Sequence, residues 1–262
     1  MALSIGTYLA SISGVPEIPN FLTLLHRYMN LHPSIDFLYA QESLFFSFII
    51  ACFLSLVFYF GSRKKELIPS GFQNFLEMVV DGLRNVIVEI LGPTGDKYVV
   101  FLGTLFIYVL SMNLIGMIPL MKPPSANLNT TVALAIMVFV LVQYLNVKNM
   151  GFKGYLYHMA GSPKELASWL VVPIMFPVEL LTQFARPVTL ALRLFGNILG
   201  EKILIAFFAL VGTTSLYFFP VQTPFLFLGL LTSIMQALVF GILSTIYILL
   251  SMPHEEEDST NH

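Results

Sequence analysis

The stretch ELLTQFARPVTLALRLFGNILGE, residues 179–201, carries six charged or amide side chains in a largely apolar sequence. At about 100° per residue on an α-helix, all six fall within an arc of about 80°. Placing one arginine at the centre of a membrane helix costs about 2.5–3.5 kcal/mol even on insertion scales. The pattern therefore predicts an ion pathway or a binding surface inside a membrane. We call the six residues the polar stripe: Glu179, Gln183, Arg186, Arg193, Asn197 and Glu201.

The composition of the 262-residue chain is that of an integral membrane protein. Apolar residues make up 56% of it and charged residues only 11%, against about 25% in soluble domains. The net charge of −2, with no basic patch rich in aromatic residues, argues against nucleic acid as a partner. The five histidines and the single cysteine, Cys52, show no metal-ligand spacing. No metal or cofactor is predicted.

The arrangement of apolar stretches predicts an all-α membrane protein with five membrane helices and one interfacial helix. An N-terminal segment, residues 1–43, precedes a single transmembrane domain, residues 44–252, and an acidic tail follows at 253–262. Residues 67–97 have apolar and charged side chains on opposite faces, which predicts an amphipathic helix lying at the membrane interface or packed on another subunit. The predicted membrane helices are 44–60, 98–120, 130–147, 166–212 and 224–252.

The distribution of lysine and arginine predicts the orientation of the chain in the membrane. Both 61–65 and 148–164 are rich in these residues, whereas 121–129 has one lysine and 213–223 has none. Loops rich in lysine and arginine stay on the cytoplasmic side. We therefore expect the N-terminus outside the cell and the C-terminus in the cytoplasm.

The predicted helix 166–212 is too long for a simple crossing. At 1.5 Å per residue it would extend about 70 Å, more than twice the thickness of the hydrocarbon layer. It either lies strongly tilted or crosses the membrane twice. Pro173, Pro177 and Pro187 predict that it is curved.

The last predicted helix has a face of small and polar residues that suits close packing on the polar stripe. Small side chains let two helices approach, and serine, glutamine and tyrosine can hydrogen-bond across the contact. We expect an antiparallel hairpin of 166–212 with 224–252, in which Gln236 lies near the middle of the stripe or makes an ordinary interhelical hydrogen bond. Tyr247 is expected to anchor at the inner membrane surface. The face comprises Gly229, Ser233, Gln236, Phe240 and Tyr247.

The charges of the stripe do not balance within this pair of helices. Glu179 and Arg186 are seven residues apart, so Gln183 could bridge them. Arg193 is eight residues from Glu201, too far for a direct pair within one helix. Because a guanidinium stays charged, Arg193 should meet a carboxylate from another chain or line a wet cavity.

Two segments resemble subunit a of F-type ATP synthases, the membrane stator that lies beside the rotating c-ring. They are RPVTLALRLFGNILGEKIL at 186–204 and GMIPLMKPPSANLNTTVALA at 116–135; the final helix with Gln236 and Tyr247 fits the same family. The resemblance implies a multi-pass protein of the bacterial inner membrane without catalytic chemistry of its own. It also implies the c-ring, the peripheral-stalk subunit b and the rest of the synthase as partners, and two long tilted helices that cup the c-ring.

The resemblance also assigns roles to residues. It makes Arg193 the essential arginine that faces a carboxylate of the rotor, with Gln236 opposite it. Asn197 and Glu179 would line an aqueous half-channel to the outer side, and Asn127 and Asn129 would lie near its mouth. The sequence departs from the family at one point. Many members carry an acid nine positions after the arginine, but here that residue is Lys202 and the acid is Glu201, about 100° away around the helix.

The implied function is translocation of protons through two offset half-channels, coupled to rotation of the c-ring and to ATP synthesis. The remaining stripe residues and Ser233 and Tyr247 would belong to the proton path. A version that carries sodium ions is one alternative. A standalone secondary transporter is another, but such proteins usually contain paired repeats with broken helices, and the sequence shows no internal repeat.

Overall fold

The computed structural model of the chain describes residues 41–61, 63, 71–118, 121–159, 172–215 and 223–252. These ranges are helical with short connections and contain no β-strand. The expectations for residues 1–40 and for the tail 253–262 lie outside them. The α-helices are α1 (Glu42–Gly61), α2 (Phe72–Leu91), α3 (Asp96–Leu114), α4 (Leu128–Met159), α5 (Val172–Ser215) and α6 (Thr223–Leu249).

Four segments of the described chain are long and apolar enough to cross a membrane. They are Glu42–Gly61, Pro93–Met117, Leu128–Tyr155 and Thr223–Leu249. Large apolar side chains also cover much of the outer surface; Phe48, for example, is 69% exposed. Such a surface suits lipid and not water, so the prediction of an all-α membrane protein is confirmed. α5 is not among the four segments, and the count of five membrane helices plus one interfacial helix stays a prediction.

The helices pack in two long pairs that share one core. α4 runs along α5, and α3 runs along α6. Leu102, Val109 and Met112 of α3 and Phe240 of α6 are almost completely buried between them. Because lipid tails are as apolar as these side chains, close packing rather than exclusion of water holds such helices together.

α2 has the predicted amphipathic character. It packs on α3 and α6 through an apolar edge that includes the buried residues Ile87 and Leu91. The two N–H groups of Arg84 bind both carboxylate oxygens of Asp96, at 2.8 and 3.1 Å, and tie α2 to the start of α3. A second apolar edge, with Phe75, remains exposed and can meet lipid or another subunit.

α4 is longer than the sequence analysis predicted. Residues 148–164 were expected to form a loop, but the helix continues to Met150, and helical structure resumes after Gly151 and runs to Met159. This part of the prediction was wrong, because the lysines of the segment mark a membrane surface without ending the helix. Gly151, with φ 69° and ψ 160°, bends the chain there. Glycine tolerates this positive φ at little cost.

α5 is one continuous helix of 44 residues, about 66 Å long. A continuous helix cannot turn back, so the alternative in which this stretch crosses the membrane twice is wrong. Pro177 and Pro187 lie inside it. Each removes one backbone hydrogen bond and crowds the preceding turn without ending the helix.

α5 and α6 pack antiparallel, as predicted. Three contacts show the direction: Arg186 with Tyr247, Asn197 with Gln236, and Glu201 with Gly229. As the residue number rises on α5 it falls on α6. The face of small and polar residues on α6 is therefore the face that meets the polar stripe.

Gly116 permits a close approach in the turn between α3 and α4, which gives the first prediction. A Cβ atom at this position would lie 2.6–2.9 Å from three carbons of the Pro123 ring. Because that ring is rigid, we expect Gly116→Ala to destabilise the protein by about 1–3 kcal/mol, measured as a lower thermal unfolding temperature in detergent.

The control is Gly82→Ala in α2, where a Cβ would meet no atom within 4 Å. Alanine favours helix over glycine by about 1 kcal/mol, so this variant should be at least as stable as the wild type. Equal unfolding temperatures for Gly116→Ala and the wild type would contradict the packing at this turn.

Candidate functional site

Arg193 lies near the middle of α5 with its side chain exposed. Within the described chain it makes no ion pair and no hydrogen bond through its side chain; the ion pairs there join Arg84 to Asp96 and Lys122 to Glu42. The next residue, Leu194, is fully buried against the other helices. Arg193 therefore stands at the edge of the helix bundle, with its positive charge directed away from any partner in the described residues.

Asn197 and Gln236 join α5 to α6 one turn beyond Arg193. The side-chain amide of Asn197 donates a hydrogen bond of 2.6 Å to the Oε1 atom of Gln236. Gln236 is buried, and its Nε2 atom has no hydrogen-bond partner among the described residues. Buried polar atoms are nearly always hydrogen-bonded, often to ordered water, so this position is suited to bind a water molecule.

Asn113 of α3 extends this polar region, and the sequence analysis did not single it out. It is 2% exposed, and its Nδ2 atom donates a 3.4 Å hydrogen bond to the backbone oxygen of Ser233. Asn113 Oδ1 and Ser233 Oγ, both buried, have no partner in the described part of the chain. An asparagine inside an apolar span was the available signal, because such residues usually have a function.

Glu201 lies against Gly229 of α6, on the far side of Asn197 from Arg193. Its Oε1 atom would be 2.5 Å from a Cβ atom at Gly229, so the missing side chain makes room for the carboxylate. Its Oε2 atom is buried and without a partner among the described residues. The structure thus brings Glu201 into the α5–α6 contact; its neighbour Lys202 is half-buried.

Arg186 and Tyr247 form the contact at the other end of the stripe. The guanidinium carbon lies 5.5 Å from the centre of the Tyr247 ring, within the range of a cation–π interaction. Both side chains are half-buried. Tyr247 thus faces a member of the stripe, and its anchoring at the membrane surface stays a prediction.

The sequence suggested that Gln183 could bridge Glu179 and Arg186, but in the structure it does not. Its Oε1 atom accepts hydrogen bonds from Gln143 Nε2 of α4, at 2.8 Å, and from the Tyr155 hydroxyl, at 2.5 Å. The side chain therefore turns from the stripe towards α4. Neither Gln143 nor Tyr155 was expected to take part, because both are far from the stripe in sequence.

Asn127 lies directly before α4, where it contacts α1, and Asn129 lies in the first turn of α4. The amide of Asn127 donates a 3.0 Å hydrogen bond to the hydroxyl of Ser43, and its Oδ1 atom accepts one from the backbone of Asn129. The ion pair of Lys122 with Glu42 joins the same two parts of the chain. A groove of about 300 Å³ runs beside them, lined also by Ser47 and Tyr108. No hydrogen bond or ion pair among the described residues connects these asparagines to the stripe.

Arg193 divides the other stripe residues into two groups along the axis of α5. Asn197 and Glu201 lie about 6 and 12 Å from Arg193 towards the C-terminal end of α5. Arg186, Gln183 and Glu179 lie about 10, 15 and 21 Å from it in the opposite direction. In the described residues no three histidine, cysteine, aspartate or glutamate side chains come together as a metal site would require. The arrangement is a central cation with polar groups on either side.

Comparisons with known proteins find a family model and several relatives that match most of the chain. The family model described as ATP synthase A chain matches residues 44–249. A protein from Protochlamydia amoebophila named ATP synthase subunit a is 55% identical over 93% of this chain and 92% of its own length. Proteins of the same name from Trichlorobacter lovleyi and Geobacter sulfurreducens are 43% and 41% identical over 76% of this chain and 81% and 82% of theirs.

Proposed function

Because the chain belongs to the ATP synthase A chain family, we propose that it is the stator of the membrane sector, beside which the c-ring turns. In this role it provides two offset half-channels that load and unload the carboxylates of the ring. Rotation of the ring then couples ion flow to ATP synthesis elsewhere in the complex. The c-ring and the peripheral-stalk subunit b are the proposed direct partners.

The exposed and unpaired side chain of Arg193 is the observation that carries this proposal. A charge that is buried in a membrane without a partner costs several kcal/mol. The bundle offers Arg193 no carboxylate among the described residues. A second chain that carries a carboxylate at membrane depth would remove this cost, and the c-ring is such a chain.

The outer half-channel would run through the group on the C-terminal side of Arg193. Asn197, Gln236 and Glu201 lie there, and the unsatisfied atoms of Asn113 and Ser233 provide further places for water. Water held at these atoms would give protons a path from the outer surface to the ring. The groove beside Asn127 and Ser43 would form the outer vestibule of this path.

The inner half-channel would run through the group on the N-terminal side of Arg193. It contains Arg186, Tyr247, Gln183 and Glu179. This proposal revises the expectation that Glu179 and Asn197 line the same outer half-channel. Because α5 is one continuous helix, the two residues lie on opposite sides of Arg193, about 27 Å apart along the axis.

Translocation then follows from the cost of moving charge through lipid. A proton that arrives by the outer half-channel neutralises a ring carboxylate, which can then rotate through hydrocarbon at a much lower cost than the ion. After nearly a full turn the carboxylate reaches the inner half-channel. The positive charge of Arg193 favours its ionised form, so the proton leaves on that side. The same charge repels protons that would otherwise pass directly between the half-channels.

Guanidinium suits this position because its charge is permanent, delocalised and weakly hydrated. The ring carboxylate has to be attracted strongly enough to ionise and weakly enough to leave again. Each proton that crosses 100 mV provides about 2.3 kcal/mol, so several must pass for each ATP formed. If the arginine bound the carboxylate too tightly, much of this energy would be needed to separate the two.

The orientation follows from the lysines at the end of α4. Lys148 and Lys153 are exposed, and cations near helix ends favour the cytoplasmic side. In this orientation α5 begins in the cytoplasm, α6 ends there, and the N-terminus lies outside. The membrane would be the bacterial inner membrane.

The test is ATP-driven acidification of proteoliposomes that contain the whole synthase. Arg193→Ala removes the barrier charge, and we expect no measurable pumping. Arg193→Lys keeps a charge, but one that is compact and strongly hydrated, and we expect at least about a tenfold loss, the effect of roughly 1.4 kcal/mol.

Arg186→Ala is the matched control, because it removes an arginine from the same stripe that already has an aromatic partner. It should retain much of the wild-type rate. Normal pumping by Arg193→Ala would contradict the proposal. Pumping that requires added sodium ions would select the sodium-carrying version instead of the proton-carrying one.

A second prediction concerns Glu201 and Gly229. In Gly229→Ala the new methyl group displaces the carboxylate of Glu201. The cost to folding should be small, because a flexible side chain moves, but pumping should fall several-fold if Glu201 belongs to the outer half-channel. Glu201→Asp shortens the side chain and makes room for the methyl group. The double variant should therefore pump faster than Gly229→Ala alone, and a double variant no faster than Gly229→Ala would contradict this role.

A further inference from the structure

Three side chains from three separate segments meet beside the inner half of the stripe. They are Gln143 of α4, Tyr155 from the part of α4 beyond its bend, and Gln183 of α5. Gln143 Nε2 lies 2.8 Å from Gln183 Oε1. The Tyr155 hydroxyl lies 2.6 Å from Gln143 Oε1 and 2.5 Å from Gln183 Oε1. We call this group the inner triad.

The bend at Gly151 is what makes the triad possible. In a straight helix, residues 143 and 155 would lie about 18 Å apart along the axis. The positive φ of Gly151 turns the following segment back, so that Tyr155 returns to the level of Gln143. The turned-back segment is then packed onto the bundle, where Met159 is buried.

The hydrogen bonds within the group engage the amide oxygens of both glutamines, whereas the N–H groups of Gln183 have no partner in the described residues. A tyrosine hydroxyl has one proton, which it can give to either of the two amide oxygens in reach. Gln183 Oε1 is the acceptor for both of the other members. Gln183 is buried and all three side chains are neutral. The triad is thus a neutral cross-link between α4, its turned-back end and α5.

Two members of the triad, Gln143 and Gln183, line a cleft between α4, α5 and α6. Residues that line this cleft include Gln143, Asn146, Gln183, Arg186, Leu190 and Tyr247. Along α5, Gln183 comes between Glu179 on one side and Arg186 and Leu190 on the other. Pro187 also lacks the N–H that would bind the backbone oxygen of Gln183, so α5 is locally weakened at this level.

We propose that Tyr155 is a positioning residue of the inner half-channel: its hydroxyl holds Gln143 and Gln183 together, and this constriction limits how readily water and ions pass between Glu179 and Arg186. The inference rests on the proposed function only for the assignment of the cleft to the ion path. Tyr155 acts through the two glutamines and does not itself exchange the transported ion. Removal of its hydroxyl should open the cleft without unfolding the helices.

The test measures access to thiols on the two sides of the triad. The background is Cys52→Ser, which removes the only cysteine. Leu190→Cys places a thiol beyond the triad, towards Arg193, and Asn146→Cys places one on the Glu179 side. The whole synthase in inverted membrane vesicles is exposed to silver ions from the cytoplasmic face. Thiols that remain free are then labelled with a fluorescent maleimide after denaturation, so the readout does not depend on pumping.

In Tyr155→Phe we expect silver to reach the thiol of Leu190→Cys about tenfold faster, the change that corresponds to loss of one buried hydrogen bond. The thiol of Asn146→Cys should react at an unchanged rate, because it lies before the constriction. Tyr144→Phe is the matched control, since Tyr144 is on the same helix, is 60% exposed and makes no hydrogen bond through its hydroxyl in the described residues.

Gln143→Leu provides a second route to the same result, because it removes both contacts of Gln143 in the triad and leaves Tyr155 intact. If Tyr155→Phe does not assemble, this variant decides the question. Unchanged access to the thiol of Leu190→Cys, an equal rise in Tyr144→Phe, or an equal rise at both thiols would overturn the proposal. None of these outcomes would affect the proposed function, which the Arg193 variants test separately.

Discussion

A permanent positive charge without a partner in the described part of its own chain is the constraint on which the rest of this structure depends. Arg193 stands in the middle of the longest helix, exposed at the edge of the bundle. An uncompensated guanidinium in hydrocarbon is expensive, so we propose that a neighbouring chain supplies a negative charge. The bundle packs α3, α4 and α6 behind α5 and leaves one side of the stripe open to that neighbour.

Because α5 is one continuous helix, Arg193 lies between two groups of polar residues along the same axis. Polar groups lie along the helix on both sides of Arg193, and none of those described pairs with it. On one side, buried atoms of Asn113, Ser233 and Gln236 lack hydrogen-bond partners in the described residues and can bind water. On the other, Arg186 rests on Tyr247 and Gln183 is tied to α4. One helix thus holds an ordered series of polar environments with a cation between them, which is what two separate half-channels require.

Much of this arrangement could be predicted from the sequence, because helical periodicity fixes which residues share a face. The stripe, the facing side of α6 and the place of Gln236 near the middle of the stripe all follow from spacing on two helices, whereas its hydrogen bond with Asn197 was not predicted. The rest depended on tertiary structure. The positive φ of Gly151 returns Tyr155 to Gln143, and a sequence carries no signal for which residue a bent chain will meet. Asn113 is different: its place inside an apolar span was visible, but its contact with Ser233 depends on how α3 packs against α6.

The most direct measurement of the central claim is a cryo-EM map of the assembled synthase that resolves the side chains around Arg193. The account predicts a carboxylate of a c-ring subunit within about 4–6 Å of the guanidinium, the range over which opposite charges stabilise each other strongly, or linked to it by one water molecule. It also predicts that no acid of this chain lies so close. An ion pair between Arg193 and a carboxylate of its own chain, or lipid covering this face of α5, would contradict it.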